Sequence, residues 1–120
     1  MRSRYSAFAR GDVDYLRDSW LPAERPPTLE IDSRIRWLGL EILAEDRRGD
    51  NATVEFEVRY LLAGRVEAMH ELSRFQRRQG RWFYCNGDML APTFRAWKPA
   101  RNENCPCGSG LKFKRCCATR

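Results

Sequence analysis

The stretch Thr53-Val54-Glu55-Phe56-Glu57-Val58-Arg59-Tyr60 decides the architecture. Successive side chains of a strand point to opposite faces, so this alternation puts Val54, Phe56, Val58 and Tyr60 on one face and Thr53, Glu55, Glu57 and Arg59 on the other. Working outward, residues 35–46, 65–79 and 81–88 read as three more strands. The separators Arg48-Gly49-Asp50-Asn51, Ala63-Gly64 and Gln79-Gly80 are short, polar or glycine-bearing, as antiparallel hairpins require. Upstream the period is helical. Residues 2–10 and 12–20 form two helical segments broken at Gly11, with Asp12 as N-cap, Val13, Leu16 and Trp20 on one stripe, and Pro22 as the stop. Helices first and a four-stranded meander after them predict an α+β body with the helices packed on one face of a curved sheet. That body takes residues 1–97. Residues 98–120 form a cysteine-bearing tail, and the proline-containing stretch 89–104 reads as the connection.

The 120 residues hold one small domain plus an appendage, and 14 aromatics with both signs of charge describe a globular chain. The net charge of +6 is unevenly spread: Lys98, Arg101, Lys112, Lys114, Arg115 and Arg120 stand against Glu103 alone, so the tail carries +5 of it. Arg2, Arg4, Arg10, Asp12 and Asp14 interrupt any secretory apolar run, and no stretch approaches the roughly 20 apolar residues of a membrane span. Four of the five cysteines crowd into thirteen positions, which is unlike a disulfide framework. A reducing, cytoplasmic setting is the expectation.

Cys105-Pro106-Cys107 and Cys116-Cys117 place two thiols, eight residues, then two more. Four soft ligands suit a tetrahedral d¹⁰ ion and leave no open position for substrate, so the expected cofactor is one structural Zn²⁺ on Cys105, Cys107, Cys116 and Cys117. Four reduced cysteines without metal, or a [2Fe–2S] cluster, share the same residues as alternatives. Gly108 and Gly110 are expected where a Cβ would clash beneath the metal. A tail this short cannot fold on apolar burial, so metal binding supplies its folding free energy, and chelation is expected to melt the tail while the body survives.

Cys105-Pro106-Cys107-Gly108-Ser109-Gly110, a basic-aromatic stretch and Cys116-Cys117 together resemble the SEC-C motif. This is the zinc element at the C-terminus of the SecA translocation ATPase, with Cys117 where that protein has histidine. The segments Met1-Arg2-Ser3-Arg4-Tyr5, Asp14-Tyr15-Leu16 through Trp20, Trp37-Leu38-Gly39-Leu40, His70-Glu71-Leu72-Ser73-Arg74-Phe75 and Trp82-Phe83-Tyr84 resemble the YchJ-like family of bacterial SEC-C proteins. The resemblance implies a nuclear-transport-factor-2-like cone of helices against a curved sheet. Members commonly carry another cysteine-rich element ahead of the Arg2-Ser3-Arg4-Tyr5 segment. The sequence opens at that segment, so a truncated or misassigned start is expected, and functions needing two zinc elements are set aside.

Cones of this class often hold a pocket. Met69, Glu71, Ser73 and Phe75 share a face of their strand, and Trp82, Tyr84 and Asn86 share one on the next. If Phe75 and Trp82 point inward, so do Glu71, Ser73 and Tyr84, and a buried carboxylate needs partners such as Arg2, Arg4, Tyr5 or His70. The bland expectation is that Glu71 pairs with an arginine of the first helix; a ligand or catalytic pocket is the other. His70 falls on the opposite face with no evident orienting partner and reads as a solvated or rim histidine. Cys85 reads as a small buried hydrophobe, and Trp20, Trp37, Phe56 and Tyr60 as core.

No catalytic residue is assigned. The function expected is a zinc-binding interaction module whose basic tail, through Lys112, Phe113, Lys114 and Arg115, docks on a protein of the secretion, chaperone or translation machinery. The pocket around Glu71, Ser73 and Tyr84 is the alternative. Nucleic-acid binding ranks last, since three tail cations give few phosphate contacts.

Overall fold

The computed structural model describes residues 1–93 and 95–117; Arg120 of the basic tail lies outside them. Helix α1 spans Arg2–Arg10 and ends where Gly11 and Asp12 turn their N–H groups back to Phe8 and Ala7 oxygens, at 3.2 and 2.8 Å. Asp12 then caps helix α2 (Val13–Asp18), its carboxylate accepting from the Tyr15 N–H at 3.1 Å. The helix stops two residues short of Trp20. Residues 19–21 instead run beside the last strand, with Tyr84 N–H donating to Ser19 O at 2.8 Å and Leu21 N–H to Tyr84 O at 2.7 Å. This short parallel pairing covers part of a sheet edge that would otherwise be open.

Strands β1 (Arg36–Arg48), β2 (Asn51–Leu62), β3 (Arg65–Arg78) and β4 (Arg81–Leu90) form one antiparallel meander in the order β1-β2-β3-β4. The turns Ala63-Gly64 and Gln79-Gly80 have positive φ at both positions, the turn geometry that matches strand twist. Phe56 (1% exposed) and Val58 (2%) head the inner face. Helix α1 lies against it through Tyr5 and Phe8, whose ring centroids are 6.0 and 5.7 Å from that of Trp37.

Alternation fails at one place in β4. Arg74 pairs with Asn86 but Phe75 pairs with Tyr84, so Cys85 is an extra residue in a bulge. Tyr84 consequently faces inward with Phe75, while Asn86 joins Arg74 on the outside and accepts its hydrogen bond at 2.9 Å. The expected grouping of Asn86 with Trp82 and Tyr84 is thus corrected by a one-residue slip.

The outer face is also covered. Ala91 and Thr93, just beyond Leu90, lie over it, and Trp97 pairs with the β3 edge that β4 leaves open, exchanging backbone bonds with Val66 at 2.8 and 3.1 Å. Glu57, 2% exposed, accepts the backbone N–H and the hydroxyl of Thr93, both at 2.8 Å. His70 is 7% exposed, so the expected rim histidine is in fact enclosed. Its Nε2 lies 2.7 Å from Glu55 and its Nδ1 2.9 Å from the Ala91 carbonyl. Both partners are acceptors, which favours the doubly protonated ring, and the Ala91 carbonyl followed by Glu55 raises the His70 pKa. Burial pushes the Glu57 carboxyl up, but the Thr93 bonds and the His70 charge outweigh it and leave its pKa below the usual range.

The signs set a pH window for this covering segment. The His70 contribution is full below its unfolded pKa of about 6.5 and is lost as pH rises through the higher folded value. That of Glu57 is full above its unfolded pKa and is lost as pH falls through the lower folded value. Thermal unfolding followed against pH should therefore show a decline on the alkaline side of neutrality that His70→Gln flattens. An unchanged alkaline limb in that variant would mean that the imidazolium does not hold the covering segment.

Candidate functional site

The tail folds as a tight double turn. Cys105 N–H donates to Leu111 O at 2.8 Å, Gly108 N–H to Cys105 O at 3.2 Å and Phe113 N–H to Glu103 O at 2.9 Å. A 3₁₀ turn over Phe113–Arg115 then delivers Cys116 and Cys117. Gly108 and Gly110 adopt φ of 80° and 83°, and a Cβ at either would meet no heavy atom within 4 Å. Their need is for the left-handed backbone conformation and not, as expected, for space.

The four sulfurs of Cys105, Cys107, Cys116 and Cys117 all lie within 4.8 Å of one another, with Cys107 to Cys116 at 3.5 Å and Cys116 to Cys117 at 3.8 Å. Metal–sulfur bonds of about 2.3 Å in a tetrahedron place sulfurs roughly 3.8 Å apart, so the donor set fits a metal ion in both chemistry and spacing. Hydrogen bonding from Ser109 leads in holding the Cys107 thiol down to about 6, whereas burial pushes Cys117 up. Ligation requires thiolates, so a metal entering here displaces protons.

The cluster is not free of the body. Cys105, Phe113 and Cys117 pack with Leu61 of β2 and Val66 of β3 into one buried group, and Leu38, Cys107 and Cys116 lie against it. Phe113, expected to meet a partner, is 3% exposed because it fills this seam. Lys112 and Arg115 remain exposed, Lys114 is half-buried, and the neighbouring Leu111 is 51% exposed.

On the inner face, Arg4, Tyr5, Glu71 and Tyr84 line one cavity of about 420 Å³ between α1 and the sheet. Ser73, 0% exposed, sits behind it and donates to Glu71 Oε2, as does the Tyr84 hydroxyl at 3.3 Å. Burial, followed by the nearby Glu71 charge, pushes the Tyr84 phenol up to about 12, so it serves as a donor. Arg2 points away, 3.9 Å from Glu45 on the surface. Arg4 does not take the expected hydrogen bond to Glu71. Its Nη1 donates to Leu16 O at 2.9 Å and to Ser19 Oγ at 2.6 Å, and its guanidinium lies 4.5 Å from the Tyr84 ring centre and 5.3 Å from that of Trp20. Helix end and sheet are joined through Arg4, and Glu71 is held by its neighbours in the sheet.

Sequence reasoning passed over Gly87, which stands opposite Ser73. A Cβ there would lie 2.7 Å from Glu71 Cδ and 2.9 Å from Oε2. The Glu71 carboxylate rests where that side chain would be. Gly87→Ala should cost about 1–3 kcal/mol by overpacking, read from urea unfolding. A stability equal to the parent's would show that Glu71 moves aside freely.

The comparisons with known proteins agree with this geometry. Residues 1–87 match the family described as YchJ, middle NTF2-like domain, and residues 101–119 match the SEC-C motif. A UPF0225 protein of Pectobacterium carotovorum is 41% identical over 127 residues, covering 98% of this chain and 77% of the relative. One from Bordetella pertussis is 48% identical over 91 residues, covering 74% and 68%. The solution structure of a SEC-C motif containing protein from Rhodopseudomonas palustris superposes with a TM-score of 0.68 at 32% identity over 76% of each chain. The crystal structure of one from Psychrobacter arcticus gives 0.60 at 32% identity, over 99% of this chain and 71% of that one. The chain belongs to the YchJ-like family of SEC-C proteins.

Proposed function

We propose that this YchJ-like chain is a cytoplasmic, zinc-binding interaction module that recognises an acidic surface of a protein partner. The partner class is the secretion, chaperone or translation machinery. One structural Zn²⁺ held by Cys105, Cys107, Cys116 and Cys117 would order the tail and leave no ligand position for catalysis. The observation that carries the reading is the arrangement of the tail. Its apolar residue Phe113 is spent on the sheet, while Lys112 and Arg115 stay exposed and Lys114 half-exposed beside the sulfur cluster. Such a surface offers charge and one exposed leucine, Leu111, as rim and anchor for a partner. Four thiolates and one divalent ion sum to −2, so the cations also keep the tail attractive to acidic groups.

The test is capture from a bacterial lysate with the full chain and with a Lys112→Glu, Lys114→Glu, Arg115→Glu variant, compared by quantitative mass spectrometry. Removing the whole tail is the wrong comparison, because it would bare Leu61 and Val66 and recruit proteins nonspecifically. Proteins held by the parent and lost from the charge variant support the reading and name the process. Identical captures, or captures composed of ribonucleoprotein that disappears on nuclease treatment, would refute it.

A further inference from the structure

The cavity between α1 and the sheet has a chemistry that the metal cluster does not use. Six aromatic side chains line it, Tyr5, Phe8, Trp20, Trp37, Phe56 and Tyr84, and Glu71 stands among them half-buried. Glu71 Oε2 is occupied by Ser73 and Tyr84, whereas Oε1 takes no hydrogen bond among the described residues. Arg4 lines the same space, but it is only 4% exposed. Its Nη1 is spent on Leu16 and Ser19, and its guanidinium lies against two rings. Asp32 also lines the cavity and is bonded to Arg34 at 2.8 Å. An acceptor oxygen without a donor is left inside aromatic walls.

We propose that this cavity binds a small organic cation, a primary ammonium carrying an apolar body, with the ammonium on Glu71 Oε1 and the body against the rings. Three features converge on that class. A carboxylate selects a donor and repels an acid. Aromatic faces attract cations and also bury hydrocarbon. The volume of about 420 Å³ lies in the range of small-molecule sites. Gly87 contributes by leaving room for the carboxylate, and Ser73 and Tyr84 fix its orientation from behind, so that Oε1 is the oxygen presented.

The test uses the full metal-loaded chain and three probes of one shape: 2-phenylethylamine, 2-phenylethanol and 3-phenylpropionate. Binding is followed by tryptophan fluorescence and by the indole N–H signals of Trp20 and Trp37. The amine should shift both indoles saturably and bind at least tenfold more tightly than either other probe. Glu71→Gln should bring the amine to the level of the alcohol with the melting temperature retained. Met69→Trp, which fills the cavity and leaves Glu71 in place, should abolish the shift. Should Glu71→Gln fail to fold, the ranking of the three probes on the parent chain still decides. Equal or tighter binding of the alcohol or the acid, or no saturable indole shift at millimolar amine, overturns the proposal.

Discussion

Chelation after loading the four-cysteine cluster with Zn²⁺ should lower the melting temperature of the whole chain by on the order of 10 °C or more, and not merely unfold its last residues. The reason is the shared seam. Cys105, Phe113 and Cys117 are buried against Leu61 and Val66, so a tail that loses its metal also uncovers the outer face of β2 and β3. Structural zinc supplies an apparent ~10–16 kcal/mol in short peptides, far more than the tail's few apolar contacts. Once the tail is released, exposure of Leu61 and Val66 costs roughly 1.5–3 kcal/mol each. For a domain of this size about 1 kcal/mol moves the melting point by roughly 4 °C, which gives the expected shift. Scanning calorimetry with and without a chelator reads it, and a dye for exposed apolar surface should bind only the chelated protein. An unchanged body transition would mean that the tail covers the sheet without stabilising it. The cysteine spacing alone points to that independent behaviour; the seam is what changes the expectation.

Phe113→Ala should destabilise the chain by about 3–5 kcal/mol while the neighbouring Lys112→Ala stays within about 0.5 kcal/mol. Phe113 is 3% exposed between the cysteines and the sheet, so its loss opens a cavity at the point where metal element and body meet. Lys112 is exposed, and its side chain contributes charge without apolar burial. Urea unfolding of the two variants measures the difference. Similar values for both would put Phe113 outside the seam. Metal content adds a second reading: the Phe113 variant should retain its four ligands yet release metal faster to a chelator, since the turn that presents Cys116 and Cys117 begins at Phe113.

Much of the body is legible in the alternation of residues 53–60 and in the turn residues between strands, because a period of two and a glycine-bearing hairpin are local properties. Strand order follows from them. What covers each face is not local. The alternation assigns Glu57 and His70 to the face opposite Phe56 but carries no sign that Thr93 and Ala91 return to bury them. The same gap makes Phe113 look like a partner contact, when Leu61 and Val66 claim it. The Cys85 bulge is hidden for another reason: one inserted residue leaves composition and hydrophobicity unchanged while reversing the face of all that follows, which moves Asn86 outward. The sulfur cluster is legible because four cysteines crowded into thirteen positions can meet through a short local turn. Glu71, Ser73 and Tyr84 come together as the strand pattern implies, yet the side chain that fixes helix to sheet is Arg4 acting on helix α2 and two rings.

X-ray absorption at the zinc edge of the purified full chain tests the central claim most directly. One zinc per chain with four sulfur neighbours at about 2.3 Å, reduced to fewer in Cys105→Ser, is the predicted result. A shell containing nitrogen or oxygen in the parent chain, or iron in place of zinc, would contradict it.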